Sequence, residues 1–309
     1  MIYFPKKYYS FNQSMRENFY TKIVKLSLDG GFTCPNRDGT LDNRGCIFCS
    51  AKGSGDFTFS TLSINQQLEK QIELTSKKWS DSKYIAYFQN YTNTYKKSLT
   101  ELKNLYETAL NYKYVVGLAI GTRPDCLADE VLDLLAEINK KTFLFVELGL
   151  QTIHKKSSKY LRLYYDVDDF NKAVAKLNLR GIKCVAHTIL GLPNENRQMI
   201  IETVEHLNSL PVWGIKLQML NVLSGTDLEK DYADGKFTLY SKEDYVSFIC
   251  DIIEHLREDI VIHRLTGDGA KDILIAPKWI LNKRDVLNSI DKELTKRNTF
   301  QGKLFGQAW

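Results

Sequence analysis

Gly30-Gly31-Phe32-Thr33-Cys34-Pro35-Asn36-Arg37-Asp38-Gly39-Thr40-Leu41-Asp42-Asn43-Arg44-Gly45-Cys46-Ile47-Phe48-Cys49 sets three cysteines in a Cys-x11-Cys-x2-Cys pattern directly behind an apolar, strand-like run at 22–28. Its many Gly, Asn and Asp residues let a backbone wrap tightly round an inorganic core, where positive φ values are common. Cysteine thiolates hold iron–sulfur clusters, usually four to a cluster. Three leave one iron without a protein ligand, and an open coordination position is what a catalytic cluster needs. A structural zinc site wants four ligands; Cys126, Cys184 or a distant histidine could supply the fourth, so zinc stays open at this point. So does a set of unrelated core cysteines.

Working outward, apolar runs at 22–28, 84–88, 114–120, 143–149, 183–190 and 213–220 read as strands. Amphipathic stretches near 64–79, 99–111, 128–140, 168–180, 196–209 and 241–257 read as helices between and after them. Asp168-Asp169 precedes Phe170, Ala173, Val174 and Leu177, whose spacing makes one apolar helix face. Ser241 with Asp244 resembles a capping box with a shortened acid. Six β–α alternations imply right-handed crossovers and a parallel sheet, either open and doubly wound or curled into a barrel. Both architectures gather ligands at the C-terminal ends of the strands, where the cysteine loop would sit.

The 309 residues show no repeat, low-complexity tract or linker, which points to one large domain. At 43% hydrophobic and 26% charged, the composition is that of an ordinary globular protein. No run approaches the ~18 apolar residues of a membrane span, and Met1-Ile2-Tyr3-Phe4-Pro5 lacks the apolar core of a signal peptide. The cytoplasm is therefore the expected compartment, and six cysteines there suit metal or chemistry better than a disulfide scaffold. The net charge of +5 is uneven: residues 1–31 carry +3, residues 270–309 carry +4, and the body between carries −2. Basic ends suit an anionic partner such as nucleic acid, or serve simply as solvated surface.

At Cys46-Ile47-Phe48-Cys49 the chain resembles the radical S-adenosylmethionine (SAM) superfamily, whose three-cysteine loop ends in Cys-x-aromatic-Cys. The eleven-residue first gap departs from the common three-residue gap and is similar to the long gaps of the elongator-type branch. Ile120-Gly121-Thr122-Arg123-Pro124-Asp125 resembles that branch's third-strand motif. Glu147-Leu148-Gly149-Leu150-Gln151-Thr152 resembles a fourth-strand motif shared with coproporphyrinogen dehydrogenases. His187-Thr188-Ile189-Leu190-Gly191-Leu192-Pro193 is similar to the fifth-strand motif along the SAM nucleoside. Segments 25–29, 34–40, 53–56, 88–95 and 263–269 resemble the bacterial YtqA/YhcC-like family, so that the likeness runs over nearly the whole chain.

The resemblance implies an α/β fold, a partial (βα)6 TIM-type barrel over 21–260 with short extensions at 1–20 and 261–309. It implies a 4Fe-4S cluster on Cys34, Cys46 and Cys49, and SAM chelated to the fourth iron. Reductive cleavage of SAM would give methionine and a 5′-deoxyadenosyl radical. By position, Phe48 would lie near the adenine, Gln89 and Asn90 near the SAM amino group, and Arg123 on its carboxylate. Gln89 and Asn90 stand where the superfamily has a Gly-Gly-Glu stretch. Glu147 and Gln151 bracket the end of the fourth strand, and a carboxylate in an apolar strand is costly unless paired or used. His187 reads equally as a ligand contact or a satisfied core histidine, and Gly191 as close approach to ligand or a turn. Cys126 is a candidate hydrogen donor, or a buried structural thiol. Tyr3, Phe4, Tyr8, Tyr9, Phe11, Phe19 and Tyr20 interleave with Lys6, Lys7 and Arg16, a mix that clamps nucleotides or closes the bottom of a barrel.

Three functional readings follow. The first is tRNA modification at the wobble uridine, from the carboxymethylaminomethyl to the aminomethyl form. It would need a reductant such as flavodoxin or ferredoxin, and a methyltransferase in the same pathway is a candidate partner. The second is oxidation of a small molecule such as a tetrapyrrole, and the third a zinc-stabilised nucleic-acid-binding module.

Overall fold

The computed structural model of the chain describes residues 6–53, 55–267 and 269–307. Tyr3, Phe4, Ser54 and Asp268 therefore lie outside the described residues. A first helix, α1 (Phe11–Phe19), precedes the alternating part of the chain. Its strands are β1 (Ile23–Leu28), β2 (Lys83–Phe88), β3 (Val115–Thr122), β4 (Phe143–Gln151), β5 (Lys183–Leu190) and β6 (Gly214–Met219). Between them run α2 (Ile64–Ser76), α3 (Leu99–Leu110), α4 (Asp129–Asn139), the pair α5 (Lys155–Tyr160) and α6 (Val167–Leu179), and α7 (Arg197–Asn208). Then come β7 (Val222–Leu223), α8 (Asp227–Ala233), α9 (Lys242–His255), β8 (Val261–Arg264), β9 (Leu274–Ala276) and α10 (Lys283–Lys296). The main sheet runs β1-β2-β3-β4-β5-β6-β8 with every neighbouring pair parallel.

Period-two alternation divides each strand between two faces. Val24, Leu26 and Leu28 of β1, Leu118 and Ile120 of β3, and Leu144, Val146 and Leu148 of β4 bury against the outer helices. The opposite set, Ile23, Ile85, Tyr87, Ala119, Phe145 and Val185, meets Met15 of α1 in a second, smaller core. A parallel sheet with helices on one face and its own side chains converging on the other is a sheet curled into a partial barrel. Among the described residues the edge strands β1 and β8 do not pair. Instead α1 packs on both, and Ser10 bridges to Ile262.

The α/β partial barrel expected from the sequence is the fold found, with one strand more. β8 has only four residues and carries His263 and Arg264, too short and too polar to register as an apolar run. The aromatic N-terminal segment does the closing: Tyr8 is buried, Phe11 sits 4.6 Å from the His263 ring and 6.1 Å from Phe145, and Phe19 lies edge-on to Phe143 at 5.4 Å. Helix starts follow side-chain caps. Ser63 with Gln66 and Ser98 with Glu101 form capping boxes. In α6 the cap is Asp166, boxed with Asp169, two residues before the expected start, because Asp166 rather than Asp168 has the extended backbone of a cap. The face Phe170, Ala173, Val174 and Leu177 is buried as its spacing requires, and Ser241 caps α9 through the Asp244 amide at 3.0 Å.

Candidate active site at the barrel mouth

Gln89 follows β2, Arg123 follows β3, Gln151 ends β4 and His187 lies on the second half of β5, so all four reach the C-terminal mouth of the barrel. There they line a cavity of about 800 Å³ together with Cys34, Cys46, Cys49, Phe48 and Glu147. A second lobe of about 880 Å³ shares Phe48, Cys49, Tyr87, Gln89, Gln151 and His187, and continues over Lys216, Gln218, Asn221 and Arg264.

The cysteine loop is pinned across this mouth by its polar residues. Arg37 Nη2 donates to the Cys49 and Ser50 carbonyls at 3.1 and 2.6 Å. Lys96 pairs with Asp38 at 2.7 Å, and Tyr164 donates to Asp42 at 2.6 Å. The Ile47 amide donates to the Leu161 carbonyl and the Leu228 amide to the Ile47 carbonyl. Gly45 has a φ of +79°, and a Cβ there would meet the Arg37 guanidinium at 2.8 Å. Both facts demand glycine.

All three loop cysteines are free thiols, half-buried in the cavity wall. The hydrogen bond from the Cys49 thiol, aided by Arg123, Asn36 and Arg37 against the cost of burial, brings Cys46 down to about 7. Cys49, whose proton is shared and whose site is buried, is pushed up. A thiolate is the metal-binding form, which the surroundings favour at Cys46 and oppose at Cys49. Among the described residues, no three His, Cys, Asp or Glu side chains converge on a point that would hold one ion.

Glu147 is the hub of the cavity floor. Its Oε2 accepts from Tyr87 at 2.5 Å, from His187 Nε2 at 2.8 Å and from Lys216, while Lys25 reaches Oε1 at 3.0 Å. Burial by itself would raise this carboxyl; Lys216, Lys25 and His187 overcome it and hold it well below the carboxylate range. Burial and the Lys216 ammonium push His187 down to about 4, so a neutral imidazole donates from Nε2.

Of the residues singled out from the sequence, three do not line the cavity. Asn90 is buried and turned to Asp29 and Thr58 at 2.6 and 2.9 Å. Gly191 takes a φ of +82° against the Tyr240 ring, a turn and packing position. Cys126 lies in a short turn beyond β3, its thiol pushed up to about 12, chiefly by burial. Cys184 and Cys250 are core. Arg123 lines the cavity, but its Nε and Nη2 bind Asp125 at 2.9 and 2.7 Å and its Nη1 binds Asn36 at 2.8 Å. A ligand carboxylate would therefore share this guanidinium with Asp125. Lys25, Tyr87, Lys216 and Asn36 were not singled out. The first and third are cations within apolar strands, the same signal that marks Glu147.

Two features of the cavity await a ligand. The Gln151 Oε1 is buried without a partner among the described residues, although the residue itself lines the cavity. Gln151 also holds a left-handed φ of +64° at the register shift between β4 and β5, backbone strain of the kind retained at ligand sites. With three thiols and two arginines along the same wall, the donor set fits a cluster and a nucleoside-bearing cofactor.

Comparison with known proteins agrees with this reading. YtqA of Bacillus subtilis (strain 168) is 44% identical over 301 residues, 97% of this chain and 93% of its own. YhcC of Escherichia coli K12 is 33% identical over 97% of this chain and 96% of its own. The tRNA uridine(34) acetyltransferase of Methanocaldococcus infernus is 28% identical over 61% of this chain, which is 31% of that enzyme. Among solved structures, the archaeal Methanocaldococcus infernus Elp3 with an N-terminal deletion superposes with a TM-score of 0.68 at 17% identity, covering 90% of this chain and 64% of that one. Such a likeness bears on the fold alone, and it matches the partial barrel. The Radical SAM superfamily description fits residues 43–207, spanning the cysteine pair and strands β2 to β5, and the Radical_SAM C-terminal domain fits 212–296. With its cysteine loop lying over the mouth of a partial barrel, the chain belongs to the radical SAM superfamily, in the company of YtqA and YhcC.

Proposed function

We propose that Cys34, Cys46 and Cys49 hold a 4Fe-4S cluster, that SAM occupies the lobe beside them, and that the enzyme acts on the wobble uridine of tRNA. The observation that carries the reading is the convergence of the three thiols with Phe48, Gln89, Arg123, Glu147, Gln151 and His187 on one cavity. When bound, the cluster and SAM supply a 5′-deoxyadenosyl radical able to abstract hydrogen.

The protein's part is to bind, orient and keep water out. Phe48, Gln89, Gln151 and His187 border both lobes, so a group bound in one lies against a group bound in the other. Neutral His187 and the buried Glu147–Lys216 pair form the polar floor of the cavity. On the far wall of the second lobe stand Lys216, Gln218, Asn221 and Arg264, with Arg264 donating to Gln218 at 3.1 Å. Asp56, held by Ser50, is the acid on the near rim. Of the far-wall cations, Arg264 suits the carboxylate of a carboxymethylaminomethyl arm, since Lys216 is committed to Glu147, and a splayed-out nucleotide is how an enzyme reaches such a group in RNA. The likeness to a tRNA uridine(34) acetyltransferase supports the same substrate class.

The test is transfer of deuterium from the labelled uridine side chain of tRNA into 5′-deoxyadenosine. Label found there supports the reading. No label from tRNA, with label transferred from a porphyrinogen instead, rejects it.

A further inference from the structure

Asn36 stands two residues beyond the first cysteine and is fully buried. Its side chain serves three partners. Nδ2 donates to Cys46 Sγ at 3.3 Å and to the Arg162 carbonyl at 2.6 Å, while Oδ1 accepts from Arg123 Nη1 at 2.8 Å. Arginine has donors and no acceptor, so the Arg123 contact fixes which end of the amide is oxygen and turns the N–H toward the sulfur. Arg123 is itself held, bidentate on Asp125 and stacked 4.8 Å from the centre of the Tyr165 ring. The Asn36 carbonyl in turn accepts from the Gly45 amide at 2.7 Å, tying the residue to the backbone beside Cys46.

Resting on the reading of Cys46 as a cluster ligand, we propose that Asn36 is a positioning residue that sets the cluster's reduction potential. An N–H aimed at a ligating sulfur binds more strongly as that sulfur gains negative charge, so it favours the reduced cluster. Arg123 acts through Asn36, and Asp125 through Arg123. The chain Asp125–Arg123–Asn36–Cys46 links the turn after β3 to the metal site.

The experiment uses the full chain, loaded with iron and sulfide under anaerobic conditions, and reads the cluster rather than turnover. With 15N-asparagine incorporated, pulsed EPR of the reduced cluster should show a 15N coupling that Asn36→Leu abolishes. In a potentiometric titration, Asn36→Leu should lower the ratio of reduced to oxidised cluster about tenfold at fixed potential, roughly 59 mV for one electron. Arg123→Lys keeps the charge but loses the planar fork, and should shift the potential in the same direction by less. No 15N coupling in the unmutated chain overturns the proposal, as does an unchanged potential in an iron-loaded Asn36→Leu. Should that variant fail to assemble a cluster, the 15N measurement on the unmutated chain decides alone. A wild-type chain that takes up neither iron nor sulfide rejects the cluster reading itself, a result distinct from a loaded cluster without coupling.

Discussion

Lys216 on β6 reaches across the barrel lumen to Glu147 on β4, and neither side chain has more than 3% of its surface exposed. An isolated charge at that depth is costly, so each requires the other. Lys216→Met should cost about 1–3 kcal/mol in urea unfolding, since Lys25, Tyr87 and His187 still face the Glu147 carboxylate. Combining it with Glu147→Gln should cost less than the sum of the two single losses. Additive losses would show that the pair is not coupled.

His187 makes stability depend on pH in a window the structure specifies. Its pKa is about 4 in the fold against an ordinary 6.5, so between those values the unfolded chain binds the extra proton. The His187 contribution to stability should be full above pH 6.5 and decline as pH falls toward 4, by on the order of 3 kcal/mol in all. His187→Gln should remove its share of that slope in urea midpoints measured across the window, the buried His263, also held well below its ordinary value, keeping the rest. The same slope in the variant would assign it to other groups.

Gly45→Ala tests the loop geometry. A methyl there meets Arg37 and opposes the positive φ, so Arg37 must release the Cys49 and Ser50 carbonyls. The variant should fold, with far-ultraviolet circular dichroism like the wild type, but bind at most half as much iron per chain. Full iron content would show that the loop tolerates the shift.

The six central strands and their helices were legible because period-two and period-3.6 patterns survive in elements of this length. β8 was not, since four residues with two polar side chains leave no pattern. The cysteine loop announced itself through its spacing, whereas Asn36 lies among other Asn and Asp residues and reads as one more turn former. Glu147 stood out as a charge in an apolar strand. Lys25 and Lys216 carry the same signal, but long side chains in strands are easily read as edge positions. The basic C-terminal segment reads equally as a surface for phosphates or as solvated surface, yet part of it is tied up in ion pairs. Arg297 binds Asp251 at 2.6 Å and Glu293 at 2.9 Å.

That arrangement separates structural from exposed cations. Arg297→Ala should loosen α10 from α9 and lower stability by about 1–3 kcal/mol, with loss of tRNA binding only through unfolding. Lys7→Ala, at an exposed position, should leave stability unchanged and weaken binding to all tRNAs alike, reducing the salt slope by about one unit if it meets a phosphate. Filter binding at several salt concentrations, beside urea unfolding, checks both. An unchanged salt slope for Lys7→Ala would remove it from the RNA surface.

On the proposal above, Cys34, Cys46 and Cys49 assemble a cluster on which SAM is cleaved. The most direct measurement is the 5′-deoxyadenosine formed from SAM by anaerobically prepared, dithionite-reduced protein. The wild type should produce it, Cys34→Ala, Cys46→Ala and Cys49→Ala should each produce none, and Cys250→Ala, whose thiol lies in the core, should match the wild type. An iron-loaded wild type that makes no 5′-deoxyadenosine, or a loop-cysteine variant that makes it undiminished, would contradict the account.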